Sequence, residues 1–319
     1  MNRMKEDNSE CVEIESSNVE YRCSDDGKVK VAACISGRDV YERVKADINK
    51  YKWNDSDYLL ATYPTNGTHF AWEVMTMLLQ GSADYITHPK EVLMIDLFPV
   101  SRSEKDFPSP RVLNTHYRTD VLPAEFRKAK TVIVLRNPKD TFVSLYFHNK
   151  FLNPLFNPDK STALASLKLE DFLQIFLYNK DIDYGSYFTY TEYMWSRRAE
   201  PNVLVIFYED LKLHSAATIH KINEFMGMNR SPELVQRIAE ATDFKKMKQA
   251  KMEAKPSESV EEVFAVNPSH KENRQKITER MYRKGGVGDW KNHLSVAQNE
   301  QFDAFLADWE GGKHIPFQY

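Results

Sequence analysis

The sequence predicts an α/β fold, a single domain with a central parallel sheet flanked by helices. Two observations carry this. Short runs that are apolar throughout recur along the chain, and stretches with apolar residues at helical spacing alternate with them. Uniform rather than alternating apolarity suits strands covered on both faces, as helices joining parallel strands require. A third observation sets the number of domains. The length of 319 residues fits one large α/β domain, and there is no internal repeat or second complete set of alternating elements.

The elements follow in order. Residues 1–20 lack periodicity and read as a disordered tail, leaving residues 21–319 as the domain. Asp57–Thr62 is an apolar run with a turn signal after it, and reads as a buried strand. Phe70–Leu79 reads as a helix, with Ala71, Val74, Met75 and Leu78 at helical spacing. Pro110–Thr115 and Thr131–Leu135 read as further strands, the second followed by Asn-Pro and a helix from about Asp140. Leu169 to about Asn179 reads as helix, Val203–Phe207 as strand, and Ser215–Met226 as helix. Asn153–Lys160, rich in Asn and Pro, reads as a loop. Lys245–Glu262 is densely charged and gives way to apolar Val263-Phe-Ala-Val266. That stretch reads either as a mobile lid or as a solvated helix with a connector.

Composition narrows the function classes. Hydrophobic residues make up 42% and charged residues 28%, an ordinary globular balance, and 16 Tyr with 18 Phe can line an apolar pocket. The net charge of −3 argues against nucleic acid as a partner. Cys11, Cys23 and Cys34 form no CxxC or Cys/His cluster, so free thiols in a reducing compartment and no metal are expected. The first residues are polar and acidic with no apolar h-region, and no apolar run is long enough to span a bilayer. A cytoplasmic protein without a membrane partner is expected.

Ligands of open parallel sheets sit beyond the carboxyl ends of the strands, and four clusters fall at such ends. Tyr63-Pro-Thr-Asn-Gly-Thr-His69 lies between a strand and a helix. Gly67 there admits close backbone approach, and the following N–H groups favour an anion. The segment lacks the GxxxxGK[ST] pattern, and alone it reads equally as an ordinary turn. Arg136-Asn-Pro-Lys-Asp140, with Ser144 in about the first turn of the next helix, offers a guanidinium fork and a hydroxyl to a phosphate, or an Arg for a surface carboxylate. Met281-Tyr-Arg-Lys-Gly-Gly-Val-Gly-Asp-Trp290 joins two cations to three glycines, more than a helix C-cap needs. Leu113-Asn-Thr-His116 puts a histidine just past a strand, where it can be a base or a structural residue. Three anion-binding candidates and one candidate base suggest transfer of a charged group from a nucleotide.

Taken in this order, the segments resemble the cytosolic sulfotransferase family. Tyr63 to Phe70 is similar to the pattern YPKSGTTW, Asn114-Thr-His116 to KTH, and Arg136 to Ser144 to RNxKD...S. Tyr208-Glu-Asp-Leu-Lys212 is similar to YEDMK, and Arg283 to Trp290 matches RKGxxGDW. The resemblance runs from about Trp53 to about Asp303. It implies a P-loop-like nucleotide-binding sulfotransferase fold and the donor 3′-phosphoadenosine 5′-phosphosulfate (PAPS), with the bisphosphate PAP as product and no metal. It implies that Asn66, Gly67, Thr68 and His69, with Thr65 at the loop position, wrap the 5′-phosphosulfate. Arg136 and Ser144 would hold the 3′-phosphate, with Arg283, Lys284 and Gly285 closing over it. Phe70, Tyr208, Thr242 and Phe244 would surround the adenine. His116 would take the proton from a hydroxyl or amine of a small acceptor. Lys291–Glu300 resembles the dimer motif KxxxTVxxxE, with Ser295 for Thr, and implies a homodimer; a plain surface helix start is the other reading.

Two positions depart from the pattern. Thr65 replaces the loop lysine, and Asn114 replaces the lysine before Thr-His. Both family lysines help neutralise charge on the leaving group, and loss of one such donor costs about 3 kcal/mol. Lys139, Arg118 and His69 are candidates to compensate. Three functions stay open: sulfuryl transfer to a small acceptor, a weak or inactive PAPS/PAP-binding protein, or a dehydratase acting through transient sulfation.

Overall fold

The computed structural model describes residues 21–23, 30–32, 46–86, 88–96, 100, 105, 107–152, 166–178, 184–254 and 276–319. The expected tail at 1–20, the loop Asn153–Lys160, the apolar stretch Val263–Val266, Cys11 and Cys34 lie outside the described residues.

Two short strands, β1 (Tyr21–Cys23) and β2 (Lys30–Ala32), pair antiparallel. The main sheet holds β3 (Tyr58–Thr62), β4 (Val112–Thr115), β5 (Lys130–Leu135) and β6 (Val203–Phe207) in the order β4-β3-β5-β6. All its pairs are parallel, with Ala61 opposite Thr115 on one side and Ile133 on the other. The apolar runs are strands because both faces are covered. In β5, Val132 and Val134 enter one apolar cluster while Ile133 and Leu135 enter the other.

The first cluster lies under α1 (Thr68–Gln80), α6 (Ser215–Met226) and α7 (Pro232–Ala241). The second lies under α2 (Pro138–Phe147), α3 (Leu169–Tyr178), α4 (Tyr187–Ser196) and α9 (Val296–Asp308). Short α5 (Tyr208–Leu213) leaves β6, and α8 (Phe244–Glu253) follows α7.

The boundaries differ from expectation for local reasons. Strands β3 and β4 begin at Tyr58 and Val112 because Asp57 and Arg111 form a buried ion pair at 3.0 Å below them. Helix α1 starts at Thr68 rather than Phe70, directly after Gly67. Helix α2 starts at Pro138, with the Asn137 side chain capping the Lys139 and Asp140 amides, so Ser144 sits in its second turn. The described part of the charged stretch is helix α8, capped by Asp243.

Candidate active site

The loop after β3 is built for close approach. Gly67 has φ 93°, and a Cβ there would stand 2.5 Å from the Tyr208 ring, so only glycine fits. Thr65 has φ 66°, a region that β-branched residues avoid. It is held there by Arg136, whose Nη1 donates to the Thr65 carbonyl at 2.7 Å. Thr141 donates to Asn66 Oδ1 at 2.9 Å. Around this loop Thr65 Oγ1, Asn66 Nδ2 and Arg136 Nε are buried and have no partner among the described residues. Buried donors without acceptors are costly. With the N-terminus of α1 they make a cradle that fits the phosphate of a nucleotide.

Beside it, His116 follows β4. Its Nδ1 lies 2.8 Å from the Thr62 carbonyl and 3.3 Å from Thr62 Oγ1. A carbonyl only accepts, so Nδ1 carries the proton and Nε2 keeps its lone pair. Burial and then the Lys90 ammonium push the imidazole down to about 3, with the Thr62 bond opposing. His116 is therefore neutral at pH 7. Its backbone is fixed by Asp96, which accepts from His116 N at 2.6 Å and from Thr115 Oγ1 at 2.5 Å. Burial pushes Asp96 up to about 7 against those bonds.

The loops after β5 and β6 meet over the same place. The Arg136 guanidinium stands 4.3 Å over the Tyr208 ring, and its Nη2 donates to the Gly286 carbonyl at 3.4 Å. Asp140, at the start of α2, accepts from Gly288 N at 2.6 Å and Trp290 N at 3.0 Å. That carboxylate brings the glycine segment to Arg136. Arg283 pairs with Asp289 at 2.8 Å, and Lys284 also bonds it. Burial would raise Asp289, but bonds from Lys284, Asn292 and Arg283 outweigh it and hold the carboxyl well below its usual range. Gly285 has φ 62°, and a Cβ there would collide with the Phe244 ring.

One cleft of about 170 Å³ is lined by Thr65, Gly67, Thr68, His69, Phe70, His116, Arg136, Ser144, Tyr208, Thr242, Phe244, Arg283, Lys284 and Gly285. Of the residues expected at the site, Asn66 alone lies beneath the cleft rather than on its wall. A larger groove of about 690 Å³ runs along α8, but its walls are exposed or half-buried.

Two of the three candidates for compensating charge fall elsewhere. Lys139 is buried beneath α9, bonded to Asn299 Oδ1 at 2.7 Å and paired with Asp303. Arg118 is paired with Asp120 at 2.7 Å. His69 lines the cleft, but burial and then Lys90 push it down to about 3, so it is neutral. Lys90, Phe147 and His148 line the cleft and were not anticipated. Lys90 lies in a 3-10 turn with no motif around it. The only signal for it in the sequence was the missing charge at Thr65 and Asn114.

Comparison with known proteins identifies the family. The family model of the sulfotransferase domain matches residues 55–313. Mouse sulfotransferase 1A1 is 34% identical over 280 residues, covering 83% of this chain and 88% of the relative. Bovine sulfotransferase 1E1 is 30% identical over 283 residues, covering 85% and 89%. Among solved structures, mouse sulfotransferase SULT7A1 complexed with PAP superposes with a TM-score of 0.69 at 26% identity, over 93% of this chain and 96% of that one. Retinol dehydratase in complex with retinol and PAP shares the fold, with a TM-score of 0.68 at 20% identity over 95% and 93%. With the matched domain covering most of its length and a relative at 34% identity, the chain belongs to the sulfotransferase family.

Proposed function

We propose that this protein transfers a sulfuryl group from PAPS to a hydroxyl or amine of a small acceptor. The single observation that carries the reading is the neighbourhood of His116 and the cradle. A neutral imidazole with Nε2 free to accept stands on the same cleft as the unpartnered donors Thr65 Oγ1 and Arg136 Nε.

The bound donor supplies an activated sulfuryl group. The protein's part is to hold and align it, remove a proton and stabilise charge. Thr65 to His69 and the N-terminus of α1 wrap the 5′ end. Arg136 and Ser144 take the 3′-phosphate, and Arg283, Lys284 and Gly285 cover it, with Asp289 giving up part of its hold on the two cations. Phe70, Tyr208, Thr242 and Phe244 surround the base. His116 Nε2 accepts the acceptor's proton while Thr62 keeps the ring in one tautomer. An anion in the cleft opposes the ammonium that lowers His116, and so raises its basicity toward working pH.

Membership of the family and the PAP held by SULT7A1 support this reading. The match over residues 55–313 supports taking residues 21–319 as one such domain. No helix among the described residues is long and apolar enough to cross a membrane. The uncharged Thr65 and Asn114 favour a second reading, a PAPS/PAP-binding protein with little transfer. A dehydratase acting through transient sulfation is a third, and the shared fold of retinol dehydratase keeps it in view.

Incubation with sulfur-labelled PAPS and a panel of phenols, sterols, alcohols and amines separates them. The proposal expects label in at least one acceptor. Binding of PAP with no transfer to any of them supports the second reading, and an alkene product supports the third.

A further inference from the structure

The unanticipated cation of the cleft has a specific setting. Lys90 is only 5% exposed, yet it lines the cleft together with Thr65, Thr68 and His116. One N–H of its ammonium meets Glu91 Oε1 at 3.0 Å, and a second faces the weak acceptor Met94 Sδ at 3.9 Å. The third has no protein partner among the described residues. Asn114, at one of the positions that lost a lysine, does not enter the cleft. Its Nδ2 donates to the Lys90 carbonyl at 2.9 Å, and Ile95 N donates back to the Asn114 carbonyl at 3.0 Å. The edge of β4 thus fastens the turn that carries Lys90.

We propose that Lys90, fastened by Asn114, supplies the positive charge at the reacting end of the donor site. This rests on the sulfotransfer reading above and adds a catalytic residue to it. In the step, the bond from sulfur to the bridging 5′-phosphate oxygen breaks, and its electron pair stays on that oxygen. The acceptor oxygen or nitrogen forms the new bond to sulfur, and its proton passes to His116 Nε2. Lys90 Nζ offsets the charge gathering on the phosphate.

Glu91 offsets part of this charge. Burial would raise its carboxyl, but Lys90 beside it holds it down at about 2, so it is ionised at pH 7. Its Oε1 also lies 3.4 Å from His69 Nε2, so it is shared between the two side chains. Lys90 still lines the cleft with one N–H that has no partner among the described residues. The competing account is that Lys90 is only the structural partner of Glu91.

The test compares Lys90→Met, Lys90→Arg and the parent by three readouts. The first is stabilisation by PAP, which Lys90→Met should weaken but not abolish, because Arg136 and the N-terminus of α1 remain to hold the nucleotide. The second is transfer of label from PAPS to acceptor or to water. It should fall on the order of a hundredfold in Lys90→Met and recover in part in Lys90→Arg. The third needs no donor: an NMR titration of the His116 imidazole. Its midpoint should move to higher pH in Lys90→Met, because the ammonium that lowers it is gone. A purely structural Lys90 would leave transfer unmoved in a folded variant, whereas the His116 shift reports only that its charge reaches the site. Lys90→Gln, whose amide can still donate to Glu91, replaces the methionine variant if that does not fold. Transfer within twofold of the parent, or an unmoved His116 titration, overturns the inference while leaving the sulfotransfer reading intact. A parent that transfers to nothing, water included, overturns both.

Discussion

Asn114 and Thr65 look alike in sequence, since each puts an uncharged residue where the family pattern has lysine, but their surroundings differ. Asn114 is fully buried and spends its amide N–H on the Lys90 carbonyl. Asn114→Lys would break that bond and bury a second ammonium near the first. It is expected to lose about 2–3 kcal/mol of stability and to gain no transfer. Thr65 instead lines the cleft, with a hydroxyl that has no partner and a φ of 66° that its β-branch disfavours. Thr65→Lys breaks no side-chain bond and points a cation at the reacting end, so transfer should rise about tenfold. Urea denaturation and labelled-donor assays on the two single variants check this. Equal stability of Asn114→Lys and the parent would mean that the amide bond has been over-weighted. From sequence alone the pair could only be read as a double loss. The partner of Asn114 lies 24 residues away in a turn with no motif.

At the scale of elements, the strands could be read because their apolar runs are covered on both faces. Arg136, Ser144 and the glycine segment could be read as anion groups because their chemistry is local. What could not be read was how the elements are joined. Asp140 looked like part of a phosphate motif, but it accepts two amides 148 and 150 residues away. Lys139 looked like a free cation, but its partners on α9 are 160 and 164 residues away. Helix α4 could not be read because its aromatic and β-branched residues pattern like a strand, and α9, whose start was one reading of Lys291–Glu300, buries only Phe302. Asp140 carries the element-scale prediction. Asp140→Ala should cost about 3 kcal/mol, the worth of charge-assisted bonds to two half-buried amides. It should also weaken PAP binding, although Asp140 does not line the cleft, because Gly286 and Arg283 lose their register with Arg136. Calorimetry with and without PAP measures both effects. Unchanged PAP affinity in a destabilised Asp140→Ala would mean that the glycine segment takes no part in binding.

At the scale of the whole molecule, the resemblance of Lys291–Glu300 to the dimer motif predicts a two-fold contact there. Ser295 caps α9 in a capping box with Gln298, which accounts for a hydroxyl residue at that position. Val296 beside it is 76% exposed, an apolar side chain at the tip of the segment. A self-complementary contact of this size would be weak. Light scattering at tens of micromolar should report a dimer, and Val296→Glu a monomer; a monomeric parent would count against the contact. The central claim concerns the cleft itself, and the most direct measurement is the melting temperature of the full chain with PAP. A ligand at about 100 times its dissociation constant adds about 2.7 kcal/mol, which for a chain of this size raises the midpoint by about 5 °C. Arg136 contributes the unpartnered Nε and braces the Thr65 carbonyl, so Arg136→Ala should lose most of that shift. A parent protein whose melting temperature does not move at millimolar PAP would contradict the account, because the cradle built from Thr65, Asn66, Gly67 and Arg136 would then hold no nucleotide.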